Sequence, residues 1–309
     1  MSYNIIKGGG TGRLIGVRNV NQILFKSINN LIADKTASNT TLKLFSTEQP
    51  NGICCQGDSS TDPINPIYIR NTSCWAKDID TSPISIWNNG GGYPEPEHAG
   101  GSGGTGLLIT KRHLIFAQHF HVKPGKKLIF VDMNNNTYVR TLTNVQLVYR
   151  TYPYPTETDI LIGILDSDLP NSITPMKILD PNKALDFIGM GSVRLPVFAM
   201  DVERKVYATE LISLYSNLGI SDNPTNPSKI REFYPYHPDT FGYGMSYGDS
   251  GNTCAFVYKN KLVHILHFYY PTGGPNDFIC AFYYINEINE VINQLGNPNG
   301  YKVELENFN

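Results

Sequence analysis

The rhythm of hydrophobic and polar positions changes twice along this 309-residue chain. Apolar residues at Val20, Ile23, Leu24, Ile28, Leu31 and Ile32 recur at helical spacing and predict one amphipathic helix. Residues 41–46 alternate and predict a short strand. From Glu48 to Glu97, Pro, Gly, Asn, Asp and Ser dominate, with apolar islands at 67–69 and 84–87. That stretch predicts loops and short strands rather than a unit with its own core.

A Gly-rich run over 90–106 opens a different pattern. Short apolar runs follow at 106–110, 114–117, 127–131, 138–148, 160–165, 193–200 and 206–214, then at 253–258, 262–270 and 278–284. Many short strands separated by turns predict an all-β sandwich or a pair of barrels. Ile285, Ile288, Val291, Ile292 and Leu295 return to helical spacing, and Gly296 and Pro298 stop that helix. The chain therefore divides into an N-terminal extension, residues 1–80, and an all-β domain, residues 81–309, closed by one helix.

Composition narrows the function classes. Hydrophobic residues make up 40% and charged residues 17%, and 28 glycines with 19 tyrosines suit strands and turns. The formal net charge is −2 with no long basic run, so no face offers itself to nucleic acid. No apolar run is long enough to span a bilayer. The start MSYNIIKGGGTG lacks the charged, apolar and small-residue parts of a secretory signal. A cytoplasmic or virion-associated location is expected over classical secretion. The five cysteines, Cys54, Cys55, Cys74, Cys254 and Cys280, have no regular disulfide spacing and no CxxC pair matched by a histidine pair. Free thiols are expected, with a Cys254–Cys280 bridge left open, and neither metal nor cofactor is expected.

Three local patterns carry candidate chemistry. His119 ends an apolar strand that follows Thr105-Gly-Leu-Leu-Ile-Thr-Lys-Arg-His-Leu-Ile-Phe-Ala-Gln. Asp159 stands at the mouth of Ile-Leu-Ile-Gly-Ile-Leu, where a carboxylate is partly desolvated. Ser250 sits in Gly248-Asp-Ser-Gly251, a serine in a tight turn. A serine hydroxyl is a poor nucleophile without an adjacent base. Histidine accepts its proton and returns it to a leaving amine. A buried carboxylate fixes the imidazole tautomer and stabilises the imidazolium. The backbone amides of Gly248 and Ser250 supply an oxyanion hole, each such donor worth about 3–4 kcal/mol in a dry site.

In these residues the chain resembles the trypsin/chymotrypsin-like serine proteases, from about residue 80 to 297. The order His, Asp, Ser is that family's order. Forty residues separate His119 from Asp159 and ninety-one separate Asp159 from Ser250, close to the family's spacings. The resemblance implies two antiparallel six-stranded barrels with a C-terminal helix. His119 and Asp159 would come from the first barrel, Ser250 from the second, and the cleft between them would take a polypeptide. Gln118 departs from the family's alanine, and Asn252 from its second glycine after the serine. Phe120 stands where animal enzymes carry a disulfide cysteine, and no Ile-Val-Gly-Gly start is present. These features lie nearer to bacterial and viral members than to digestive enzymes.

The same resemblance places Gly244 at the base of the specificity pocket, without the carboxylate that holds Arg or Lys. The strand 262–270 would form the pocket wall, with His267 near the position where glutamate- or glutamine-preferring relatives carry a histidine, and Tyr269 beside it. Cleavage after Glu, Gln or an apolar residue is expected. The bland account of His267 is a barrel histidine bonded to backbone. His113 and His121 are expected in turns. Gly101-Ser-Gly-Gly-Thr-Gly106 matches a dinucleotide fingerprint by letter, but it precedes a strand instead of opening a helix.

Two function classes follow. The first is a serine endopeptidase working through an acyl-enzyme on Ser250. The second is a protease-fold structural or binding component with a degenerate site, part of a larger assembly such as a virion. Residues 1–80 read either as a solvated extension with a strap across the back of the barrels or as a docking segment for a larger assembly, since the amphipathic stripe needs a surface to cover it.

Overall fold

A computed structural model of the chain describes residues 13–49, 65–88, 105–118, 122–150, 156–183, 195–201, 203–211, 229–231, 241–242, 251–269 and 277–309. The amphipathic helix α1 (Arg13–Ile32) begins seven residues before its first predicted apolar position. Leu24 and Ile28 are fully buried, whereas Ile23 stays exposed. The alternating stretch 41–46 does not form one strand. Ser38 and Thr41 close a capping box, the Thr41 N–H donating to Ser38 Oγ and the Ser38 N–H to Thr41 Oγ1. That favours one helical turn, α2 (Asn39–Leu42), before β1 (Phe45–Gln49). β1 pairs antiparallel with β2 (Ile67–Arg70) as a separate two-stranded ribbon.

The segment from β2 to residue 88 runs across both halves of the molecule. Arg70 reaches toward the first barrel, where Nε donates to the Asp132 carbonyl at 2.9 Å, Nη2 to the Val131 carbonyl at 2.7 Å and Nη1 to Thr81 Oγ1 at 2.6 Å. Burial lowers its pKa to about 10, partly offset by Asp80 and Asp132, so the guanidinium stays charged at neutral pH. Trp75 turns the other way. Its indole Nε1–H donates to the Val206 carbonyl at 2.8 Å, and its ring lies against Phe198 and Phe241.

The first barrel contains β3 (Ile84–Ser85), β4 (Trp87–Asn88), β5 (Gly106–Leu108), β6 (His113–Ala117), β7 (Lys127–Val131), β8 (Thr137–Arg150) and β9 (Thr156–Leu165). Their order in the sheet is β3-β5-β6-β9-β8-β7-β4. β3 and β4 are two halves of one strand interrupted at Ile86, whose amide donates to the Ile129 carbonyl at 3.0 Å. One half pairs with β5 and the other with β7, so the sheet closes on itself as six strands. Leu108, Leu114, Phe116, Leu128, Phe130, Leu142, Leu161 and Leu165 fill the interior. Ile115, Ile129, Ile160 and Ile162 point the other way into a second core shared with the rest of the chain. Burial on both faces explains why these strands are unbroken apolar runs rather than alternating ones.

The second sheet holds β10 (Lys177–Leu179), β11 (Leu195–Met200), β12 (Val206–Leu211), β13 (Lys229–Arg231), β14 (Thr253–Tyr258), β15 (Lys261–Tyr269) and β16 (Asp277–Ile279). Its main path is β12-β11-β14-β15, continuing through β16 to β13. Counted from the first strand of each barrel, this is the same cyclic order as in the first. Along its second edge β15 is shared, pairing with β16 at 267–269 and in parallel with β10 at 263–264. α1 lies against β11 and β14, so its apolar stripe is covered within the chain.

The aromatic run 278–284 is only partly strand. Residues Ala281–Tyr284 form a 3-10 turn that leads into α3 (Ile285–Leu295), and Ala281, Phe282 and Tyr284 are buried. β17 (Leu305–Glu306) adds in parallel to β10. The protein is thus mostly β, with two barrel-like sheets, one of them closed by residues 84–88, and a C-terminal helix. That architecture agrees with the chymotrypsin-like fold expected from the motifs.

Candidate active site

β6 ends where the histidine motif begins. Its last residue, Ala117, pairs with Ile160 of β9, which places Asp159 at the sheet position next to that end. Asp159 is half-buried. The strand there is braced by Thr158, whose buried hydroxyl donates to the Val148 carbonyl at 2.6 Å and accepts from the Ile160 amide at 3.1 Å. Two threonine bonds on either side of the carboxylate limit how far its backbone moves.

The nucleophile motif leaves its mark through Gly251. That residue has φ +82, a left-handed conformation that glycine adopts without strain. It is pressed against the first barrel. A methyl group at this position would meet the Ala117 Cβ at 3.2 Å, its amide nitrogen at 3.4 Å and the Thr105 carbonyl oxygen at 3.7 Å. Position 251 follows Ser250 directly, and Ala117 lies two residues before His119. His119, Gly244, Gly248 and Ser250 themselves lie outside the described residues.

On the second barrel, β14 and β15 meet with a bulge. Thr253 faces His267, Cys254 faces Leu266, and Ala255 faces His264, leaving Ile265 as the extra residue. Strict alternation therefore does not run through β15, the slip to which a reading of faces from sequence alone is most sensitive. The backbone of His267 lies between Thr253 and Ile279, and that of Tyr269 pairs with Asp277. His264, which sequence reasoning did not single out, is fully buried, with Nδ1 3.0 Å from Thr253 Oγ1. Nothing in a period-of-two pattern marks it, because the bulge sets its partner.

His113 is not an exposed turn residue. It opens β6, is fully buried, and its Nδ1 lies 2.8 Å from Thr110 Oγ1. Burial lowers its pKa to about 4, an effect that the Gly296 backbone and Asp168 oppose and Arg112 reinforces. His121, Cys54 and Cys55 lie outside the described residues. Cys280 is a buried free thiol, so no bridge joins it to Cys254, and burial raises the pKa of both. Among the described residues no cluster of His, Cys, Asp or Glu is arranged to hold a metal ion, and no helix is long and apolar enough to cross a membrane.

No family model and no curated protein matches the chain. Among solved structures it is similar to an inactivated protease paralogue of the scabies mite, S-I1. The likeness has 18% identity and a TM-score of 0.39, over 62% of this chain and 88% of that one. At that level it carries no weight on function.

Proposed function

We propose that the chain is a serine endopeptidase whose triad is His119 as base, Asp159 as orienter and Ser250 as nucleophile. The observation that carries this reading is the convergence on Ala117. Ile160, next to Asp159, pairs with it across the sheet, and Gly251, next to Ser250, packs on it from the other barrel. Three motifs scattered over 131 residues thus have chain neighbours at one point of the fold.

In the first half-reaction Ser250 Oγ attacks the scissile carbonyl carbon while its proton passes to His119. The oxyanion is held by the Gly248 and Ser250 amides. The C–N bond then breaks as His119 gives the proton to the leaving amine. Water, deprotonated by His119, later releases the acyl group and restores the serine. Asp159 stabilises the imidazolium throughout.

Specificity follows from Gly244, His267 and Tyr269. With no carboxylate at the pocket base, Arg and Lys are poor fits, and an imidazole at His267 favours Glu or Gln before the cut bond. Cleavage of a peptide library by the parent and by His267→Ala tests this, and an unchanged preference rejects it. For the triad, a fluorophosphonate probe labels the parent and leaves Ser250→Ala unlabelled. Well-folded parent protein that takes no Ser250-dependent label would instead be the scaffold with a degenerate site.

A further inference from the structure

Arg150, the last residue of β8, is buried, with only 7% of its surface exposed. Its Nε is enclosed without a hydrogen-bond partner, and no carboxylate among the described residues forms an ion pair with it. Less buried arginines are supplied. Arg70 donates to three acceptors, Arg112 to the Leu165 and Asp166 carbonyls, Arg140 to the Asp168 carbonyl, and Arg204 to Glu48 Oε2.

The fold puts this cation at the mouth that carries the candidate site. β6 and β8 both run antiparallel to β9, so the end of β6 at Ala117 and the end of β8 at Arg150 emerge on the same side of the barrel. Arg150 pairs with Thr156, three residues before Asp159 on β9. At about 3.3 Å per residue that is about 10 Å along the strand. Burial alternates over the end of β8. Val148 is fully buried in the core that the first barrel shares with the second sheet, Tyr149 is exposed, and Arg150 is buried again. The Arg150 side chain therefore leaves β8 on the side where the two halves of the molecule meet.

A guanidinium is a permanent cation with five N–H donors. Taking it out of water is unfavourable unless an anion or a set of acceptors replaces the lost hydration. Methionine would fill much the same space without that penalty, so a cation kept unpaired here is one that meets its anion from outside the chain.

We infer that Arg150 is a specificity-determining residue that binds an acidic side chain of the polypeptide substrate. An extended peptide spans 10 Å in about three residues, which sets the distance of that side chain from the cut bond. The inference rests on the reading of Ser250 as nucleophile and deepens it by naming an acidic peptide as substrate. The position is separate from the residue before the cut bond, which is assigned to Gly244 and His267 of the second barrel. The carboxylate of Asp or Glu matches the planar guanidinium fork through two parallel bonds, a geometry that a lysine ammonium does not offer.

The test compares the parent with Arg150→Met, which keeps the buried length and removes the charge, and with Arg150→Lys. Cleavage of a peptide library, fluorophosphonate labelling and thermal melting are measured on each. The parent is expected to prefer Asp or Glu at one position about three residues from the cut bond. Arg150→Met loses about 30-fold in kcat/KM on peptides with that acidic residue and stays within about twofold on peptides neutral there. Arg150→Lys keeps part of the preference. Arg150→Met is labelled at the parent's rate and melts no lower than the parent, because it loses an unpaired buried charge. A lower melting temperature with an equal loss on all peptides would make Arg150 a structural cation and overturn the inference. A parent that is not labelled at Ser250 overturns the triad and this role together. A labelled parent with no acidic preference, or one that Arg150→Met leaves unchanged, overturns this role alone.

Discussion

In the first barrel, residues 84–88 pair with β5 through one half and with β7 through the other, and the ring closes. In the second, β12 and β13 have no pairing with each other among the described residues, and β15 lends half of one edge to β10. The strand order is the same, but closure is not. A closed barrel holds its interior by packing alone. The second needs cover from outside, and it receives that cover from α1, from Trp75 and from β17, while α3 lies against β8 and β9 of the first. The proposed division of labour follows this contrast. Asp159 stands on β9 in the sheet that a closed ring fixes, whereas Gly251, next to the proposed nucleophile, leads into the sheet that does not close among the described residues.

The largest way to break the contrast is to remove the external cover. Trp75 is almost completely buried, bonds the Val206 carbonyl and packs its ring on Phe198 of β11. Trp75→Ala is expected to cost about 3–5 kcal/mol, the usual range for a large buried aromatic. The loss should be lopsided. Hydrogen exchange should quicken in β11 and β12 while β7 and β8 stay protected. Equal loss of protection in the two barrels would mean that they are one cooperative unit and that closure makes no difference.

How far the sequence revealed this depends on the kind of element. β6, β7, β14 and α3 are continuous runs bounded by turn residues, and their ends fall within a residue of expectation. β10 and β17 escaped because strands of three and two residues in parallel pairing depend on partners far away in sequence. The run 278–284 has every residue a strand favours, yet Ala281–Tyr284 coils into a 3-10 turn that buries Phe282 and Tyr284. Tertiary packing overrode propensity there. At the candidate site, motif order was legible because the proposed chemistry restricts residue type. The bulge at Ile265 was not, since it exists only once two strands meet.

Acid sharpens the comparison from the side of the first barrel. His113 is neutral in its buried site, with a pKa lowered to about 4 from an ordinary 6.5. The unfolded chain takes up its proton first as pH falls. Stability from this group is therefore complete above pH 6.5, declines between 6.5 and about 4, and is flat below that. The full loss is about 3 kcal/mol by linkage. Asp132, held below its ordinary range by bonds from Asn134 and Asn136 that outweigh its desolvation, adds a second loss at still lower pH. Urea midpoints measured between pH 7 and 4.5 should fall in the parent and hold nearly level in His113→Phe. A parallel fall in both proteins would reject His113 as the source.

The smallest effect is the most local. Gly163 of β9 and Gly106 of β5 flank the ring of Phe116 inside the closed barrel. A Cβ at Gly163 would lie 2.5 Å from Leu142 Cδ1 and 2.9 Å from Phe116 Cε2, closer than carbon atoms approach without movement. Leu142 and Phe116 are buried on all sides, so neither moves cheaply. Gly163→Ala is expected to cost about 1–3 kcal/mol as overpacking. Its diagnostic is the double variant. Leu142→Ala alone opens a cavity, and Gly163→Ala fills part of that space, so the pair should be less damaging than the two losses added together. Simple additivity in urea unfolding would show that the ring relaxes by shifting its strands, and a barrel able to do that is not held more firmly than its partner.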